Sequence, residues 1–159
     1  MVVLINPNLV VQRNDLFTTG IVYMPISLAY IASSLRKANI SVKVIDAFAE
    51  QPYKARHDNK FLTLGLSCTE VVERIPINAK IIFVYAINLT NHLSTISIVQ
   101  AIKQAHQKLP VVVIENPHAV TAYSLHHIAS EFYDAGADYI LTGDGENRAV
   151  RLVQTLMIN

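Results

Sequence analysis

Apolar residues along this chain follow two alternating patterns. Short unbroken runs stand at Val2–Ile5, Ile81–Ile87 and Val111–Ile114, each stopped by an asparagine or a glutamate. Between them, apolar residues recur at three- and four-residue spacing. A short apolar run that meets a turn signal reads as a strand buried on both faces. Such strands belong to parallel sheets covered by helices. The first run, within Met1–Asn8, is the expected centre of the sheet. The loop after it, Asn6–Gly20, then opens at the carboxyl edge, beside the point where strand order reverses and ligands bind.

The remaining elements follow in order. Ile26, Leu28, Ala29, Ile31, Ala32 and Leu35 predict an amphipathic helix over Ile26–Ala38, with Arg36 and Lys37 in its last turn and Asn39 as its stop. Ser41–Asp46 alternates and predicts a second strand near an edge, with Val42, Val44 and Asp46 on one side. Leu9–Met24 is expected to be a long connection. Ala47–Leu64 is polar, reads as irregular and is too long for an ordinary connection; it suits a lid, a partner surface or disorder. Ser67 or Thr69 caps a short helix through Ile75, with Glu70 in its first turn. Lys80–Ile87 is the third strand. Ser94–Lys108 is a helix with Ile96, Ile98, Val99, Ile102 and Ala105 inward, and Val111–Ile114 is the fourth strand. A helix over Thr121–Asp134 closes at Gly136, Asp138–Leu141 is the fifth strand, and Asn147–Leu156 is the last helix. Alternating strands and helices predict one α/β domain over residues 1–159: a three-layer, doubly wound, flavodoxin-like (Rossmann-like) parallel sheet of order 2-1-3-4-5.

Composition narrows the function. The 159 residues suffice for one domain with a substantial core, and 52% are apolar, as a sheet covered on both faces requires. Thirteen basic and twelve acidic residues leave a formal charge of +1, so neither nucleic acid nor a membrane surface is implied. Cys68 is the single cysteine, which excludes an intrachain disulfide and points to a reducing cytoplasm. No run is long enough to span a membrane and no signal peptide is evident.

Four loops should meet at the carboxyl edge: Asn6–Gly20, Asn88–Asn91, Glu115–Ala119 and Thr142–Glu146. Their small, amide and hydroxyl side chains suit a ligand held by backbone groups and amides rather than acid–base chemistry, although turns favour the same residues for their own sake. Gly143-Asp144-Gly145-Glu146 lies between a strand and a helix, but its acids would repel phosphate and it lacks Gly-x-Gly-x-x-Gly. His118 stands at a strand end. His126 and His127 are adjacent on a helix and cannot chelate as an i, i+4 pair. His57, His92 and His106 have no evident partners, and no residue is assigned as a metal ligand. A phosphoacceptor receiver shares this fold but needs acids after strand one and an aspartate after strand three; here those strands end in Ile5-Asn6-Pro7 and Tyr85-Ala86-Ile87-Asn88.

Five segments in order carry a family resemblance: VVLINPN; MPISLAYIASSLRKANISVKVIDA; LGLSCTEVVERI; KIIFVYAINLTNHLSTISIVQAIKQ with ENPHAV; and ADYILTGDGENRAVRLV. Together they resemble the N-terminal cobalamin-binding domain of B12-dependent radical SAM enzymes. That resemblance implies a corrin held against the carboxyl edge by Asn6, Pro7, Asn8, Gly20, Leu89, Thr90, Asn116, Pro117, His118, Gly143, Asp144, Gly145 and Glu146. It implies no lower axial histidine after strand one, since Met1–Arg56 contains none. Methyl transfer or radical chemistry would then belong to a radical SAM domain or partner protein, because a lone cysteine cannot hold an iron–sulfur cluster. Glu115-Asn116 stands where the family has Gly-Gly, which places side chains where bare backbone would approach the cofactor. The alternative is a degenerate B12-like domain used for protein interaction or regulation without cofactor. A third option is a flavin or nucleotide at the same edge. The chain reads as either the N-terminal fragment of a longer radical SAM protein or a stand-alone domain.

Overall fold

The computed structural model describes residues 1–13, 25–58, 60–115 and 124–157. In chain order, the elements are β1 (Val2–Asn6), β2 (Leu9–Gln12), α1 (Ile26–Lys37), β3 (Val42–Asp46), β4 (Ala55–Asp58), β5 (Phe61–Leu64), α2 (Cys68–Glu73), β6 (Ile81–Ala86), a 3-10 turn (Leu89–Asn91), α3 (His92–Ala105), β7 (Val111–Glu115), α4 (Leu125–Asp134), β8 (Tyr139–Leu141) and α5 (Gly145–Met157). Five strands form a parallel sheet of order β3-β1-β6-β7-β8. Counting only those strands, this is the expected 2-1-3-4-5 arrangement, with β3 at an edge.

The unbroken apolar runs are inner strands because both of their faces are covered. Val2, Val3, Leu4 and Ile5 are wholly buried. Val3 and Ile5 join Val84, Val113, Ile98, Val99, Ile102 and Phe132 on the face of α2, α3 and α4. Val2 and Leu4 join Phe83, Ile114, Leu28, Ile31, Leu35 and Val153 on the face of α1 and α5. The edge strand behaves differently. In β3 the fully buried residue is Ile45, while Val44 is 39% exposed. The side expected to carry Val42, Val44 and Asp46 is thus partly open to solvent, because an edge strand has a neighbour on one side only. Ala105, expected inward on α3, is exposed at the helix end.

Two supposedly irregular stretches contain strands. β2, β5 and β4 form a separate antiparallel sheet in that order, pairing Val10 with Thr63 and Arg56 with Thr63 on its other side. Polar side chains disguise it, because a small sheet with one wetted face needs few apolar positions. Gly65 joins this sheet to the body at φ 109°. A Cβ there would lie 2.2 Å from the Ala47 carbonyl oxygen, so only glycine fits both the backbone angle and the space.

The capping choice falls on Ser67. Its hydroxyl accepts the Glu70 backbone N–H (3.2 Å), and the Glu70 carboxylate accepts the Ser67 N–H (2.9 Å). This reciprocal box defines where α2 starts. Lys54 also donates to Glu70 at 2.7 Å. The Lys54 contact first, and then the Ser67 bonds, hold the Glu70 carboxyl well below the usual carboxylate range, at about 2.

Two outcomes are expected. Gly65→Ala should destabilise the fold by about 1–3 kcal/mol, from forced left-handed backbone and the clash with Ala47, read as a lower urea midpoint. Because the folded pKa of Glu70 is depressed, its stabilisation is present above the unfolded carboxylate value of about 4.3 and fades as pH falls toward 2. Glu70→Gln should flatten this part of the stability–pH curve measured by urea unfolding.

Candidate ligand site at the strand-order reversal

Strand order reverses between β1 and β6, so their carboxyl ends flank the position where ligands enter this class of sheet. Asn8, just beyond β1, is buried. Its side-chain amide donates to the Leu66 carbonyl at 3.1 Å, its side-chain oxygen accepts from the Ser94 hydroxyl, and its backbone carbonyl accepts from the Asn91 amide. Asn6 donates to Asp46 at 2.9 Å, and Asp46 in turn accepts the Ala49 N–H. Asn88 caps the Leu89–Asn91 turn by accepting the Asn91 N–H at 3.0 Å. These amides tie the rim together. Two of their oxygens, Asn6 Oδ1 and Asn91 Oδ1, are buried with no donor among the described residues.

A cavity of about 470 Å³ opens beside this knot, within the range of small-molecule sites. Asn8 and Thr90 reach it from the rim, and Leu93, Ser94 and Ser97 reach it from α3. The opposite wall is the small sheet, through Val10, Arg56, Phe61 and Thr63, and the start of α2 closes it with Ser67, Cys68 and Thr69. Arg56 is fixed by Nη1 donating to the Gly65 carbonyl (2.7 Å) and Nη2 donating to the Leu66 carbonyl (2.9 Å). Burial pushes the Cys68 thiol up, and the Arg56 charge only partly opposes it, so the group is a neutral thiol rather than a nucleophilic thiolate at neutral pH.

The other expected contact residues are placed as follows. Pro7 is buried between Asn6 and Asn8, and Leu89 is 66% exposed on its turn. Gly143 has φ 70° and donates its N–H to Glu115 Oε2 at 2.7 Å, while Glu115 Oε1 accepts the Leu125 N–H at 3.0 Å. The Glu115 carboxylate therefore occupies one backbone donor of the glycine turn and one at the start of α4. Gly145 is buried: a Cβ there would lie 2.6 Å from Ile114 Cδ1 and 2.9 Å from Ile31 Cδ1. Its missing side chain lets α5 close on α1 and the sheet. Asp144 is exposed, and Glu146 lies in the first turn of α5. Asn8 and Thr90 line the cavity; the Gly143–Glu146 segment does not. Gly20, Asn116, Pro117 and His118 lie outside the described residues.

The histidine reading needs one correction. His92 is not partnerless: Nε2 lies 2.9 Å from Glu131 Oε2, and its ring stands edge-on to Phe132 at 5.2 Å. His126 and His127 stack edge to face, 5.4 Å apart. No group of three or more His, Cys, Asp or Glu among the described residues is placed to hold a metal ion. No helix among them is long and apolar enough to cross a membrane. Sequence reasoning missed the small-sheet residues Arg56, Phe61 and Thr63, the start of α2 at Ser67–Thr69, and Leu93, Ser94 and Ser97 of α3 as lining residues. The aromatic and aliphatic run Phe61–Leu64, directly after Asp58-Asn59-Lys60, was the available strand signal.

Comparison with known proteins gives three findings. No family model matches the chain. Over 154 residues it is 31% identical to a cytidylyl-2-hydroxyethylphosphonate methyltransferase of Streptomyces wedmorensis; the match covers 91% of this chain and 26% of that enzyme, so the chain spans about a quarter of its relative's length. Among solved structures it is similar to the isolated REC domain of RcsB from Salmonella enterica serovar Typhimurium, determined with the phosphomimetic BeF3-. That likeness has a TM-score of 0.50 and 17% identity, and covers 98% of this chain and 88% of the other. It supports the flavodoxin-like fold, and the similarity to a methyltransferase extends over nearly the whole sequence.

Proposed function

We propose that this chain is a cobalamin-holding module of the B12/radical SAM type, serving a methyltransferase or radical reaction carried out by another domain or chain. The observation that carries the reading is a pair of buried amide oxygens with no donor among the described residues: Asn6 Oδ1 at the end of β1 and Asn91 Oδ1 at the end of the turn that follows β6. A buried acceptor without a donor calls for an explanation. The corrin of cobalamin bears peripheral carboxamides, which are donors of the missing kind. The similarity to a methyltransferase over 91% of the chain agrees with this role.

The residues that would hold the cofactor are Asn6, Pro7 and Asn8 after β1, Leu89 and Thr90 after β6, and the Gly143–Glu146 turn; Gly20 and Asn116–His118 complete the expected set. Bound cobalamin supplies a cobalt able to carry a methyl group between donor and acceptor. The chain's own task is to bind and orient. Asn8 fixes the rim against Leu66 and α3, and the buried parallel sheet keeps that rim rigid.

A second reading is favoured by one observation. Glu115 accepts from Gly143 and Leu125, so a side chain of the protein fills donors at the edge where a ligand would bind. On that reading the chain is a degenerate relative that serves protein interaction or regulation without cofactor.

Gel filtration of the chain with hydroxocobalamin separates the two. Co-elution with a shifted visible spectrum is expected, and Glu115→Gly, which frees both N–H groups, should tighten binding. No retention by either protein at about 100 µM cobalamin, a concentration that detects even modest affinity, would refute the module reading. Retention by Glu115→Gly alone would establish the degenerate one.

A further inference from the structure

The cavity itself carries a charge signature that the cobalamin reading does not use. Its described lining contains one cation, Arg56, and no acidic residue. The nearest carboxylate on the α2 wall, Glu70, is already engaged by Lys54 and Ser67. Among the described residues Arg56 has no carboxylate partner. Two carbonyls, those of Gly65 and Leu66, take two of its five N–H donors and fix its orientation. A half-buried guanidinium without a counter-ion is costly unless an anion joins it.

The surroundings of Arg56 specify the rest of the ligand. Hydroxyl-bearing residues line the cavity from three elements: Thr63 on the small sheet, Thr69 on α2 and Thr90 on the rim. Hydroxyls available on several walls around one guanidinium suit the three oxygens of a tetrahedral oxyanion better than a planar carboxylate. Phe61, 46% exposed, and Val10 form an apolar wall beside them, against which a flat ring can pack.

We propose that this cavity binds an organic phosphate or phosphonate, with the oxyanion on Arg56 and an apolar or aromatic body against Phe61 and Val10. The assignment concerns the cavity alone and does not rest on cobalamin at the rim.

The test is a 1H–15N NMR titration of the whole chain with phenyl phosphate, phenylphosphonate, benzoate and phenol. Phenyl phosphate and phenylphosphonate should shift the amides of Ser67–Thr69, Thr90 and Ser94–Ser97, and bind more tightly than benzoate or phenol; binding by one of the two tetrahedral anions alone assigns the site to that one. Arg56→Met should weaken phenyl phosphate about tenfold or more, as expected for loss of a charge-assisted contact. Arg56 also braces Gly65 and Leu66, so Ser97→Asp provides a second variant. It places an anion on an exposed position of the lining and should weaken binding by a similar factor while the fold is retained. The proposal is overturned if neither tetrahedral anion shifts these amides at about 10 mM, well above a millimolar dissociation constant. It is also overturned if benzoate or phenol binds as tightly, or if a folded Ser97→Asp protein binds phenyl phosphate unchanged. Hydroxocobalamin retention by the same variants keeps the two readings separate: its loss with phenyl phosphate binding intact counts against the rim alone.

Discussion

The buried side chain of Asn8 is the contact on which the site depends. It lies one residue past a proline, at the mouth of a strand with no exposed position. From there its side chain reaches the link between β5 and α2 at Leu66 and the start of α3 at Ser94, while the Asn8 backbone carbonyl accepts from Asn91. An aliphatic residue of similar size would fill the space but take the acceptor from the Ser94 hydroxyl and leave the Leu66 carbonyl to Arg56 alone. The main sheet would form without this amide. The small sheet would lose its fixed position against α3, and with it the cavity between them.

A flavodoxin-like sheet ordinarily offers only loops at its carboxyl edge. Here the connections on either side of β3 return as strands of their own, pairing β2 with β5 and β5 with β4. The added sheet turns an open rim into a walled space. It also delivers Arg56, a residue far from the expected loops, to within the lining of that space. Gly65 is the hinge of this arrangement, because the chain must pass against the Ala47 and Phe48 backbone to re-enter the body.

The parallel sheet was legible because its evidence is local. Val2–Ile5, Ile81–Ala86 and Val111–Ile114 are unbroken apolar runs, and runs of that kind survive only between two covered faces. The start of α2 was legible to within two residues, since Ser67 and Thr69 both offered a cap and the reciprocal bonds with Glu70 choose Ser67, whereas α3 and α5 begin at His92 and Gly145, each two residues before the expected start. The small sheet was not, because β4 reads Ala-Arg-His-Asp and its pairing with Phe61–Leu64 is decided by the turn and by packing, not by periodicity. The role of the rim amides was legible only by half. Asn6, Asn8 and Asn91 do gather where strand order reverses, but their donors turn inward to Asp46, Leu66 and the Asn8 carbonyl. Sequence shows that an amide will find a partner without showing whether that partner is a ligand or the chain.

Glu115 and Gly145 show the same ambiguity on the far side of the edge. Glycine in a strand-to-helix turn signals close approach, and at Gly145 the approaching groups are Ile31 and Ile114 of the protein itself. A carboxylate beside backbone donors signals repulsion of anions, and at Glu115 it is the anion, seated on the N–H groups of Gly143 and Leu125. Among the described residues, those two donors are therefore satisfied internally. Between β1 and β6 two amide oxygens have no donor among the described residues, and Arg56 in the neighbouring cavity has no carboxylate partner among them. Polar groups left unmatched in a folded chain are where an external partner gains most from binding, because they have already lost water without gaining a contact. The two halves of the rim thus differ in how far the chain's own described groups satisfy them.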